Sequence, residues 1–183
     1  MITLPVNESQ LAFRTVLNAL AHPGATYRLP DTAVPPAVLP TLALADLGTA
    51  VCLLEEETDW VETVVSATSA PLSDLNKARL VTALRAMTVE EIAELHRGTA
   101  LAPEDGALVT LAVSDVDGGP AWRLTGPGVP GEKTLAPQGL PAGFVAARAE
   151  LVAGFPAGAD FLLVCPDGRI AGLPRTTTIE EES

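Results

Sequence analysis

Apolar residues recur at helical spacing near the start of the chain. Phe13, Val16, Leu17, Leu20 and Ala21 fall at i, i+3, i+4, i+7 and i+8, which predicts a helix with that set as its buried face. Asn7 followed by Gln10 reads as a capping box, with Val6 and Leu11 at the positions of a hydrophobic staple. His22-Pro23-Gly24 ends the helix: proline disfavours helix at the residue before it, and glycine accepts the left-handed turn. Residues 25–36 hold three prolines and read as loop. Pro36 to Leu47 reads as a helix closed by Gly48, and Thr49 to Leu54 as a short buried strand. Glu55, Glu56 and Glu57 form an acidic run, read as a solvated loop. Asp59 with Glu62 makes a second box, opening a short helix through about Ser66.

The stretch KARLVTALRAM, ending at Met87, fits a helix by length and a strand by its Leu-Val-Thr content, and periodicity leaves both open. Thr88 with Glu91 is a third box, with Met87 and Ile92 as its staple, and that helix should end near Arg97 at Gly98. ALVTLAV at 107–113 reads as a strand, Asp117-Gly118-Gly119 as a turn, and Ala121 to Thr125 as the return strand of a hairpin. A Gly/Pro-rich loop covers 126–141, and a helix runs from about Ala142 to Ala153, ended by Gly154 and Pro156. DFLLVC at 160–165, a turn at 166–168 and RIAGL at 169–173 make a second hairpin; PRTTTIEEES is a polar tail. Helices interleaved with at least five strands, some in hairpins, point to an α/β fold with a mixed sheet. No internal repeat or linker divides the chain, so 1–178 reads as one domain and 179–183 as a polar, acidic tail.

Composition narrows the function. With 183 residues, 48% of them apolar, the chain can bury a core without help from a metal or disulfide. Asp and Glu number 23 against 11 Lys and Arg, a net charge of −12, which repels polyanions and argues against nucleic acid as a partner. Cys52 and Cys165 sit far apart in apolar runs and read as reduced core thiols. His22 and His96 share no motif, which argues against a zinc site. MITLPVNESQ lacks the basic and apolar regions of a signal peptide, and no apolar run approaches the ~18 residues of a membrane span, so a soluble cytoplasmic protein is expected.

Gly126-Pro-Gly128-Val-Pro-Gly131 matches GxGxxG, but Pro127 and Pro130 remove two N–H donors, Glu132 adds negative charge, and TLAPQGLP cannot form the helix a phosphate cradle needs. Only Lys77 and Lys133 could form a Schiff base, and neither has a fitting context, which argues against pyridoxal phosphate and leaves no cofactor expected. No GxSxG elbow supports a serine triad, and both histidines read as caps at helix ends, so no catalytic residue is assigned. Arg123 in RLTGPG and Arg175 in PRTTT, with Thr176 and Thr177, are the candidate anion or partner contacts. Pairing of either arginine with a carboxylate of this acidic chain or of its partner is the competing reading.

Four segments in order resemble one family. AFRTVLNALAHPG at 12–24, HRGTALAPEDGALVTL at 96–111, RLTGPG at 123–128 and FPAGADFLLVCPDGRIAGLPRTT at 155–177 are similar to PhnH, the H subunit of bacterial carbon–phosphorus lyase. The resemblance spans about residues 5–178, with Ala157 and Ala159 smaller than the usual side chains there. It implies a three-layer α/β/α fold like the large domain of pyridoxal-phosphate-dependent transferases, without that cofactor, and favours a strand for 78–83. It implies a homodimer that joins subunits G, I and J. With G, I and L, such a subunit is needed to replace the adenine of ATP by a phosphonate. It carries over no catalytic residue, so a non-catalytic structural subunit is expected. The alternatives are an autonomous enzyme that holds a small anion with Arg123 or Arg175, and a ligand-binding regulatory module. On the subunit reading, Phe13→Asp should cost several kcal/mol by burying a carboxylate, and Arg175→Ala should weaken assembly while sparing the fold.

Overall fold

A computed structural model describes residues 4–55 and 60–182. In chain order the elements are α1 (Val6–Ala21), β1 (Thr26–Arg28), a 3₁₀ turn (Pro36–Val38) running into α2 (Leu39–Leu44), β2 (Val51–Leu54), α3 (Trp60–Thr68), β3 (Leu80–Ala83), α4 (Val89–Glu94), a 3₁₀ turn (Pro103–Asp105), β4 (Leu108–Ala112), β5 (Trp122–Thr125), β6 (Lys133–Leu135), α5 (Phe144–Val152), β7 (Asp160–Val164), β8 (Arg169–Leu173) and β9 (Thr178–Glu181). No helix among the described residues is long and apolar enough to cross a membrane.

The main sheet runs β1-β8-β7-β4-β3-β2. Strands β2, β3, β4 and β7 are mutually parallel, and β8 and β1 add antiparallel at one edge. This is the mixed sheet expected, and the ambiguous stretch after Lys77 contributes β3. Side chains alternate between the two faces with period two. Phe161 and Leu163 of β7 point into a core shared with α4 and α5, whereas Leu162 and Val164 point into a core shared with α1, α2 and α3. Helices therefore cover both faces. Thr82 of β3, fully buried, is satisfied by Thr41 of α2 at 2.6 Å, since a lone buried hydroxyl there would be costly.

A second sheet, β6-β5-β9, lies on the α5 side. Trp122 of β5 stacks on Phe144 of α5 at 5.7 Å, and Phe144 meets Phe161 of β7 edge-on at 5.4 Å, so three aromatic rings link the two sheets. This sheet overturns the expected β4–β5 hairpin. The turn at Asp117–Gly119 does bend the chain, but both flanks of β4 are already taken by β3 and β7, so β5 leaves for another sheet. The segment after Pro174, read as a polar tail, instead forms β9 as far as Glu181 and pairs with β5, setting Ile179 opposite Leu124. The loop expected over 126–141 holds β6, and that over 25–36 holds β1. The helix expected over 36–47 stops at Leu44.

The largest correction concerns α1. Its cap is Pro5, with no side-chain capping bond, and Asn7 lies inside the helix. The buried side is Ala12, Thr15, Val16 and Ala19, while Val6 (87%), Phe13 (47%) and Leu17 (55%) stay exposed. The reason is close approach. Gly172 of β8 sits so near the helix backbone that only small side chains fit between them. Phe13→Asp is accordingly no longer expected to bury a charge.

The helix-start signals were mixed. Thr88 accepts from the Glu91 N–H at 3.2 Å while the Glu91 carboxylate accepts from the Thr88 N–H at 2.9 Å, a complete capping box, with Met87 and Ile92 both buried. The helix stops at Glu94, short of Arg97. Thr88→Ala is expected to cost about 1 kcal/mol, read from urea melts. Asp59, Glu56 and Glu57 lie outside the described residues. Within them, the Glu55 carboxylate accepts from the first N–H groups of α3, Trp60 at 3.2 Å and Val61 at 3.5 Å.

Candidate functional site

Asp160 opens β7, at the edge of the sheet where the parallel strands begin. Its carboxylate accepts from Arg175 three ways: from the backbone N–H at 2.6 Å, from Nε at 3.2 Å and from Nη2 at 2.7 Å. Arg175 Nη1 donates in turn to the carbonyls of Pro103 at 2.8 Å and Pro156 at 3.1 Å. One guanidinium thus fastens three loops: the turn before β4, the bend carrying the cis Phe155-Pro156 bond, and the exit of β8. The approach is tight. A Cβ on Gly106 would lie 2.1 Å from the Gly158 carbonyl and 3.0 Å from Arg175. Only 12% of the Arg175 side chain is exposed, and this planar, five-donor fork is spent largely on the protein itself.

Arg148 of α5 completes the cluster, and sequence reasoning missed it. It is 3% exposed and donates to the Pro174 carbonyl at 2.6 Å. Its Nε has no hydrogen-bond partner among the described residues. Burial pulls its pKa down to about 10, against the opposing field of Asp160. Two guanidiniums therefore draw on one carboxylate. The only signal in the sequence was an arginine inside the apolar run FVAARAELV. Thr177 is buried next to it: its N–H donates to the same Pro174 carbonyl at 2.9 Å, and its hydroxyl is unpartnered among the described residues. Thr176 is half-buried.

The structure does not bring Arg123 to this cluster. Arg123 lies in the middle of the second sheet, opposite Glu180 of β9 and Thr134 of β6. It pairs with Glu180 and, at 3.6 Å, with Glu132. Both arginines are therefore paired with carboxylates of the chain itself.

The remaining candidates keep structural surroundings. His22 Nδ1 lies 3.1 Å from the Asn18 carbonyl and from the Tyr27 hydroxyl, and His96 Nδ1 donates to the Asp105 carbonyl at 2.6 Å. Both cysteines are free thiols, and burial pushes each up from the ordinary value. A strand, not a helix, follows Gly131, and a Cβ on Gly128 would strike the Ala21 carbonyl at 2.3 Å, so the glycine loop seats against the end of α1. No group of acidic, cysteine or histidine side chains suited to a metal occurs among the described residues.

Three of the resembling segments meet in or beside this geometry. The 96–111 and 155–177 stretches are joined by Arg175, and the 123–128 stretch pairs with the β9 that follows it. Comparison with known proteins agrees along the chain. A subunit of alpha-D-ribose 1-methylphosphonate 5-triphosphate synthase, PhnH of Rhizobium meliloti (strain 1021), is 30% identical over 190 residues, covering 97% of this chain and 93% of that protein. A putative C-P lyase subunit protein, HtxG of Stutzerimonas stutzeri, is 33% identical over 171 residues, covering 93% of this chain and 85% of its own. The family model for bacterial phosphonate metabolism protein (PhnH) matches residues 2–180, and the chain accordingly belongs to the PhnH family.

Proposed function

We propose that this protein is a structural, non-catalytic subunit of a carbon–phosphorus lyase complex, cytoplasmic and homodimeric, that joins subunits G, I and J. With G, I and L it would support transfer of the ribose triphosphate of ATP onto an alkylphosphonate, with adenine displaced. The observation that carries this reading is the family match over nearly the whole chain, together with relatives described as subunits of such a synthase or lyase. On this reading the chain acts as one domain that takes in β9 as far as Glu181, related to the large domain of pyridoxal-phosphate-dependent transferases without the cofactor.

The exposed stripe on α1 supports it. Val6, Phe13 and Leu17 line one side of the helix in solvent, the kind of apolar surface that a companion chain covers. Arg175 serves the complex by holding three loops in shape, and the exposed Arg123 and half-buried Thr176 are left at the surface as partner contacts.

Co-expression with the cognate G, I and J subunits tests this. The complex should require the chain, and stable assembly in its absence would overturn the reading. Phe13→Asp with Leu17→Asp is expected to reduce co-purification at least tenfold while shifting the free energy of unfolding by less than about 1 kcal/mol. Turnover of ATP with a phosphonate by the chain alone would contradict the non-catalytic role.

A further inference from the structure

The opposite edge of the main sheet, where the parallel strands end, opens onto a cleft that the Arg175 cluster does not touch. Its base is Leu84 after β3, Ala112 and Val113 at the end of β4, and Val164 and Cys165 at the end of β7. Pro35 to Ala37, Pro166 and Trp60 wall it, enclosing about 320 Å³. Ligands of open α/β sheets bind in the crevice beyond the carboxyl ends of the strands, which is this place. None of the described lining residues carries a charge, and Trp60 supplies the aromatic surface.

A second cavity of about 370 Å³ shares Pro36 and Pro166 with the first and adds Arg28, Asp31, Thr32 and Asp167. Its charge balance is acidic. Arg28 donates to the Asp167 carbonyl at 2.7 Å and pairs with its carboxylate at 3.6 Å. Arg169 holds Asp167 at 2.8 Å, Asp115 at 2.9 Å and Asp117 at 3.3 Å. Among the residues that line the cavity, one guanidinium, Arg28, faces two carboxylates, Asp31 and Asp167. Asp31 itself is exposed and makes no hydrogen bond or ion pair among the described residues.

We propose that this paired cleft binds an uncharged aromatic ring bearing a hydroxylated substituent, as in a nucleoside. The ring lies against Trp60 in the apolar half, and the hydroxyls reach Asp31 and Thr32 in the polar half. An indole flanked by prolines favours a flat ring. An excess of carboxylates accepts O–H donors and repels phosphate. The apolar half also sits at the low end of the ~300–1,000 Å³ range of ligand pockets, enough for a ring and not for a string of phosphates. This inference stands apart from the subunit reading, because the full-length chain alone suffices to test it.

Adenosine titrated into the full-length chain, followed by tryptophan fluorescence and calorimetry, is expected to saturate with a Kd below about 1 mM. AMP should bind at least about tenfold more weakly. Trp60→Ala should weaken adenosine at least about tenfold, Ala112→Phe should abolish binding by filling the cavity, and Trp60→Phe, which keeps a ring, should lose only a small factor. Absence of saturation by adenosine overturns the proposal. AMP binding as tightly as adenosine overturns it too, as does unchanged affinity in Trp60→Ala or, if that variant does not fold, in Ala112→Phe. Assembly with the other subunits is a separate readout, so neither failure entails the other.

Discussion

Arg175→Ala is expected to destabilise the fold by about 3 kcal/mol, the low end of the usual cost of removing one partner of a buried ion pair, because both side chains keep some contact with solvent. The substitution strips Asp160 of its guanidinium, leaves the Pro156 carbonyl without a donor among the described residues, and leaves the Pro103 carbonyl only the Gly106 N–H. Asp160 would keep the Arg175 backbone N–H and the field of Arg148, which is why the loss stops short of unfolding a chain of this size. Arg175→Lys should recover only part of it, because one ammonium cannot reach a carboxylate and two carbonyls in the same fork geometry. Urea melts of the two variants and of Asp160→Asn measure the coupling directly, since the contributions of contacting residues do not add. Stability within about 1 kcal/mol of wild type in Arg175→Ala would mean that water takes over the three acceptors, and the clamp would then be a surface contact. The expected loss reverses the reading formed from sequence, in which this substitution spares the fold and weakens only assembly.

What the sequence revealed was local, and what it concealed came from distant partners. The Thr88 box needs four consecutive residues and was readable. So was the β7–β8 hairpin, where Pro166-Asp167-Gly168 brings adjacent strands back on each other. The pairing of β4 was not readable. Its turn at Asp117–Gly119 looks like that of any hairpin, and only β3 and β7, from far along the chain, show that no flank remains for β5. The strand β9 hid behind its own charges: within TTTIEEE a single Ile179 turns toward the core, and Glu180 is spent on Arg123. Acidic side chains on such an edge strand also guard it against pairing with another molecule. The site followed the same rule. Arg175 stands out in the sequence as a candidate anion or partner contact, but the groups it holds lie at positions 103, 156 and 160, and Arg148 carries no motif at all.

Gly172→Val should be at least as damaging as loss of the clamp, at about 3 kcal/mol or more, and for a purely steric reason. A Cβ at position 172 would lie 2.3 Å from the Ala19 carbonyl oxygen, 2.5 Å from its carbon and 2.8 Å from the Leu20 nitrogen. These are backbone atoms in the last turns of a helix, so no side chain can rotate out of the way. Relief requires α1 to lift off β8, exposing Ala12, Val16 and Ala19 and loosening the core they share with Ile170 and Leu162. Gly154→Ala is the matched control: a Cβ there would meet nothing within 4 Å, and the backbone is not left-handed, so it should be neutral or stabilise by up to about 1 kcal/mol. The contrast tests why the apolar stripe of α1 faces outward. If helix and strand are locked together through small residues, Phe13 and Leu17 have no room beneath the helix and remain available to a companion chain. A Gly172→Val protein that melts like wild type would mean that α1 can sit farther from the sheet, with space to turn its larger side chains inward.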